Sequence, residues 1–192
     1  MIWSMPARFF LLTSALLFVA SSGFCQKFKN LETALKSPEK VTTLELRKDK
    51  LTSIPSEILA FKNLEILDLS NNQISEVKVD LSVLTKLHTI ILSKNKLARF
   101  PMEFSSIPNL KILGLDRNPI DSIPDAIIQF RALEQLDLWD CDIEYVSLEI
   151  LNMPNLSYLD LRNTYFKSEE LKWISEGSKT IELKSTYGCN CD

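Results

Sequence analysis

Apolar residues return along this chain at a fixed step of 23, so that Val41, Leu64, Leu87, Leu110, Leu133 and Leu156 open six successive units. Positions 1, 4, 6 and 11 of every unit, with positions 14, 18 and 21 of the first five, make 39 sites, and every one is apolar. At the overall apolar content of 45%, chance agreement on that scale is roughly 10⁻¹⁴. A period of this length identifies a solenoid, in which each unit is one supersecondary element that buries its apolar face only against its neighbours.

The spacing within a unit predicts the local structure. Positions 4 and 6 flank position 5, so a short strand there sends two side chains inward and the ones between outward; strands of successive units then stack as a parallel sheet. Position 9 falls where the chain leaves the strand, and Asn72, Asn95 and Asn118 stand there to pair with backbone groups the turn leaves unmatched. Asp49, Cys141 and Thr164 fill the same slot in the first, fifth and sixth units, which reads Cys141 as a ladder residue rather than a reactive thiol. The back half runs Ile54-Pro55 to Ile58 and Phe61, or Ile123-Pro124 to Ile127 and Phe130, steps that suit one helical or 3₁₀ turn with proline where no amide hydrogen is needed.

The second unit opens LEILDLSNNQI and the fourth LKILGLDRNPI. Both read L-x-x-L-x-L-x-x-N-x-L, and the chain therefore resembles the leucine-rich-repeat family, in the 23-residue form of Ras-scaffold-like and many bacterial proteins. The resemblance implies an α/β solenoid, a horseshoe whose concave face is a parallel sheet of about seven strands, with a cap helix at each end. The units run 41–63, 64–86, 87–109, 110–132, 133–155 and 156–177, the repeat domain proper being 41–166.

Both ends of such an array expose core and need covering. In the N-terminal cap, residues 26–40, Asn30 to Lys36 predicts a short helix with Asn30 as N-cap, Glu32 in the first turn and Leu31, Ala34 and Leu35 on one face, stopped by Ser37-Pro38. Ser168 to Gly177 predicts a second helix, its body 169–176, with Trp173 as a lid on the last apolar layer. In residues 178–192, Ile181 and Leu183 are expected to restore positions 4 and 6 as an edge strand before the tail Cys189-Asn190-Cys191-Asp192. That tail is open to a metal pair, a local disulfide or a bond to Cys141; two cysteines alone fall short of the four ligands of a structural zinc site.

Residues 1–25 have a different composition. Arg8 is their only charge, Phe9 to Ala20 is an uncharged run with only Thr13 and Ser14 polar, and Ser21, Ser22 and Gly23 follow. This is the order of a secretory signal, and such a run rises only about 18 Å as a helix against the ~30 Å hydrocarbon core. Cleavage after Cys25 or Gly23 is expected, with no membrane insertion afterwards; bulky Phe24 beside Cys25 departs from a lipidation box. Leader, cap helix and repeat together resemble exported Bacteroidetes-type proteins, implying a periplasmic, surface or secreted location.

Chemistry is sparse. The net charge of −3 does not suggest nucleic acid, which needs clustered Lys and Arg. His88 is the single histidine, and the sequence holds no glycine-rich phosphate loop, nucleophile elbow or metal-ligand spacing, so neither catalysis nor a cofactor is expected. Binding is expected of the outward columns at positions 3, 5, 7 and 8. Their members Ile66, Asp68, Ile91, Ile112, Gly114, Asp116, Asp137, Trp139, Tyr158, Asp160 and Arg162 are the candidate site. Trp139 and Tyr158 would be anchors, Ile91 and Ile112 would flank a dent at Gly114, and Asp137 and Asp160 would orient a basic partner. Aspartate at position 5 and aliphatics at position 3 are equally the habit of the repeat. Seven strands span about 29 Å and offer roughly 600 Å², below the ~800 Å² per partner of a standard interface. The partner is another protein or a glycan; a purely structural surface component is the competing reading.

Overall fold

The computed structural model describes residues 26–177 and 180–185. The leader and the Cys189/Cys191 tail lie outside the described residues. In chain order the elements are β1 (Gln26–Phe28), α1 (Leu31–Leu35), β2 (Val41–Glu45), β3 (Ile66–Asp68), β4 (Thr89–Ile91), β5 (Ile112–Gly114), β6 (Ser122–Ile123), β7 (Gln135–Asp137), β8 (Tyr145–Val146), β9 (Tyr158–Asp160), α2 (Ser168–Gly177) and β10 (Glu182–Lys184). Eight of the strands form one parallel sheet in the order β1-β2-β3-β4-β5-β7-β9-β10. Thr43, Ile66, Thr89, Ile112, Gln135 and Tyr158 stand in register across it, as do Glu45, Asp68, Ile91, Gly114, Asp137 and Asp160.

The core follows the 23-residue template. Of its 39 sites, all but the partly open Leu51 are buried, and only Ala34, Cys141 and Ile174 add to the buried apolar set from outside it. The position-9 asparagines bind the units to one another. Asn95 Nδ2 donates to the carbonyls of Leu69 and Leu92 at 3.0 and 2.9 Å, while its Oδ1 accepts from the Ile74 amide at 3.0 Å. Asn72 and Asn118 repeat the arrangement. Cys141 donates to the Leu115 carbonyl at 3.3 Å, and burial pushes its thiol up to about 12; it is a ladder residue, without thiolate character at neutral pH. Behind the sheet, 3₁₀ turns cross at Ser56–Ala60, Met102–Ser106, Asp125–Gln129 and Leu148–Asn152. Proline precedes the first three, and Ser147, accepting from the Glu149 amide, precedes the fourth. The second unit has Lys78 in that slot and crosses without a 3₁₀ helix.

Several expectations are corrected. The sheet's eight strands fit the expected count of about seven, but β1, which pairs with β2 ahead of the first unit, was not foreseen. The last strand is shifted by two residues: Leu183 pairs with Leu159, placing it at position 4, so Ile181 falls at position 2, and Glu182 joins the column of Tyr158 rather than that of Asp160. The repeat period breaks at α2, and no turn residue fixes the register beyond it. In α1, Asn30 accepts from the Thr33 amide as its N-cap, Ala34 is buried and Leu31 is half-buried against the core, but Leu35 is exposed. A second, two-stranded sheet of β6 and β8 on the back of the array was not foreseen.

Candidate functional site

Each unit leaves the sheet through a left-handed residue at position 8: Lys48, Asn71, Lys94, Arg117, Asp140 and Asn163, with φ between 55° and 64°. A non-glycine residue there costs roughly 1–2 kcal/mol. Pairing continues up to it, since the amides of Asn71, Lys94, Arg117 and Asp140 donate to the position-7 carbonyls of the next unit at 2.8–2.9 Å. Position 7 is therefore strand-like, and its side chains share the open sheet face with those of positions 3 and 5.

That face is less free than its spacing suggests. Asp68, Asp116 and Asp160, expected as exposed acids, are buried, each with its own arginine. Arg47 reaches across from the first unit to Asp68, and Ser70 donates to the same carboxylate. Arg117 Nε donates to Asp116 at 2.9 Å, and the Ser93 hydroxyl donates to it from the neighbouring strand. Arg162 Nε and Nη2 and the Tyr158 hydroxyl, the last at 3.1 Å, all donate to Asp160. Burial pushes the Asp160 carboxyl up, but the side-chain and backbone donors of Arg162 and the Tyr158 hydroxyl outweigh it and hold it below the ordinary value. An acid whose charge is already matched has little left to offer a partner. Thr43 and Thr89 are buried as well, so position 3 carries packing duty in the first and third units, whereas Gln135 in the fifth is exposed.

Asp137 differs. Among the described residues no lysine or arginine nitrogen lies within 4 Å of its carboxylate. It accepts from the backbone amide of Trp139 at 2.9 Å. Burial raises its pKa, the Trp139 amide opposes the rise, the neighbouring Asp116 and Asp160 add to it, and the Arg162 charge, without an ion pair to Asp137, offsets part of it.

Two aromatic rings border it on adjacent strands, Trp139 and Tyr158, both half-buried. The Arg117 guanidinium lies 4.6 Å from the centroid of the Trp139 ring. Asp116 thus holds Arg117, and Arg117 braces Trp139. Sequence reasoning passed over Arg117, because nothing in a position-8 arginine announces that a left-handed backbone turns it back over the next unit. The supposed dent at Gly114 is partly filled: a Cβ there would meet Ile91 Cγ2 at 3.4 Å, ordinary contact. Ile91 and Ile112 are half-buried beside it, and Ile66 is half-buried two strands away. Trp173 packs edge-on to Phe166 at 6.3 Å, half-buried over the last layer.

Two overlapping stretches, residues 39–97 and 85–143, match the model of the leucine rich repeat. The chain belongs to the leucine-rich-repeat family. Among solved structures, a leucine-rich-repeat protein of Leptospira interrogans is similar over 83% of this chain and 46% of its own, with 28% identity and a TM-score of 0.60. The plant peptide hormone receptor RGFR1, solved in complex with RGF2, is similar over 77% of this chain and 25% of its own, with 22% identity and a TM-score of 0.58. This leucine-rich-repeat chain thus spans under half the length of either. Its single histidine, His88, is engaged through Nδ1 with the Thr89 hydroxyl at 2.9 Å. Among the described residues no three His, Cys, Asp or Glu side chains are grouped to hold a metal, and no helix is long and apolar enough to cross a membrane.

Proposed function

We propose that this chain is an exported binding module of the bacterial kind. In this reading residues 1–25 direct export and are removed, and the open sheet face takes another protein. Solenoids of stacked repeats use such faces for binding. The observation that carries the reading is the pair Trp139 and Tyr158: two large rings on neighbouring strands, outside the buried core, one of them braced by Arg117. A ring held in place before binding loses little conformational entropy on contact, which is why braced aromatics make anchors. Ile91, Ile112 and Gly114 form the floor beside them, Asp137 supplies an unmatched charge, and Asp68, Asp116, Asp160 and Arg162 act as the internal frame.

The test is a pull-down from the source organism's envelope extract, comparing wild type with Trp139→Ala/Tyr158→Ala and with Lys62→Ala on the opposite side. The double substitution should cost at least ~2 kcal/mol, about thirtyfold in affinity, and Lys62→Ala should be silent. Equal recovery of the same partners by the double variant would remove the sheet face from consideration.

A further inference from the structure

The charge pattern of the sheet face describes the partner that would fit it. Arginines match Asp68, Asp116 and Asp160 one for one within the chain, leaving Asp137 flanked on both sides by acids that already have their cations. Its register neighbours differ in a useful way: Asp160 on one side, and on the other Gly114, which has no side chain and over which only the Ile91 methyl leans. Gly114 itself is buried, so what adjoins the carboxylate on that side is a shallow depression partly covered by Ile91. Apolar Ile91 and Ile112 border it on one side and the Trp139 and Tyr158 rings on the other. The long alkyl stem of a lysine or arginine covers apolar surface while its charged head reaches an acid, and burying such a head opposite a carboxylate avoids leaving either charge unmatched.

We propose, building on the sheet-face reading above, that the partner is a protein segment which lays a lysine or arginine side chain over Gly114 so that its cation meets Asp137 between Ile91 and the Trp139 and Tyr158 rings. The arginines of the face cannot serve this role from within: Arg117 is committed to Asp116 and to the Trp139 ring, and Arg162 to Asp160. An acidic segment is disfavoured at the same place by repulsion from Asp137, and a neutral one leaves that carboxylate without a cation.

A phage-displayed library of random twelve-residue peptides, panned on the exported chain, tests this without knowledge of the natural partner. Enriched peptides should share a lysine or arginine beside an apolar residue. They should bind Asp137→Asn at least tenfold more weakly, keep most of their affinity for Asp137→Glu, and weaken as salt is raised; circular dichroism melts establish that each variant is folded. Enriched peptides without a basic residue, or ones that bind Asp137→Asn as well as wild type, would overturn the inference. So would a panning that enriches nothing, or retention of neutral glycans on an array in place of peptides. Affinity lost in Trp139→Ala/Tyr158→Ala but unchanged in Asp137→Asn would overturn it and leave the sheet-face reading standing. Affinity lost in Asp137→Asn alone would uphold the cation and refute the aromatic anchors.

Discussion

At the scale of single residues, spacing reveals which side chains face inward but not what the outward ones do to one another. The Asn72, Asn95 and Asn118 ladder was legible because a position that is off the strand and polar in an apolar template has only backbone to bind. Asp68, Asp116 and Asp160 were misjudged as free because their partners, Arg47, Arg117 and Arg162, sit at positions 7 and 8, where the strand's alternation gives way to a left-handed turn. Asp137 is the residue where this distinction has a measurable consequence. Its folded-state pKa lies above the ordinary 3.8, so the native state binds its proton more tightly than the unfolded chain does. The contribution is favourable at low pH and is lost as pH rises from the ordinary value through the folded one. Asp137→Asn, which keeps an oxygen to accept the Trp139 amide, should therefore raise the melting temperature at pH 7, with the advantage fading by pH 3. An advantage of the same size at both pH values would mean that charge has nothing to do with it.

Elements were legible in proportion to their periodicity. The strands of units one to six and four of the five back-side turns follow from the 23-residue template. β1 escaped it, since a three-residue strand without repeat context has no pattern to display, and β10 was expected as an edge strand but two residues out of register. The short β6–β8 pair is fixed by tertiary stacking alone. The two helices cover the ends unequally: α1 buries only Ala34, whereas α2 brings Ile174 into the core and Trp173 against Phe166. In an array held by nearest-neighbour interfaces, damage at an end should stay local. Ile174→Ala removes a side chain that is 1% exposed, and hydrogen exchange should show β9 and the sixth unit losing protection while β3 to β5 retain it. Leu113→Ala in β5, fully buried at the centre, should lower protection throughout and cost about 2–5 kcal/mol. Uniform loss from Ile174→Ala would mean that the array unfolds as one indivisible unit.

For the molecule as a whole, eight strands at ~4.8 Å extend the sheet to about 34 Å, and its open face to roughly 700 Å², still short of the ~800 Å² each partner gives a standard interface. Affinity must then come from a few braced groups rather than from area, which concentrates the account on Trp139, Tyr158 and Asp137. The fold was readable because its template recurs in six units; the site is written once, in side chains whose roles depend on partners the template does not specify. The most direct measurement is hydroxyl-radical footprinting of the chain alone and saturated with a bound partner or a selected peptide. Exposed Tyr145 and Tyr165, at 53% and 69% exposure, provide the comparison away from the proposed site. The account predicts that binding suppresses oxidation of Trp139 and Tyr158 severalfold and leaves Tyr145 and Tyr165 unchanged. Protection of Tyr145 or Tyr165 with Trp139 and Tyr158 still reactive would contradict it.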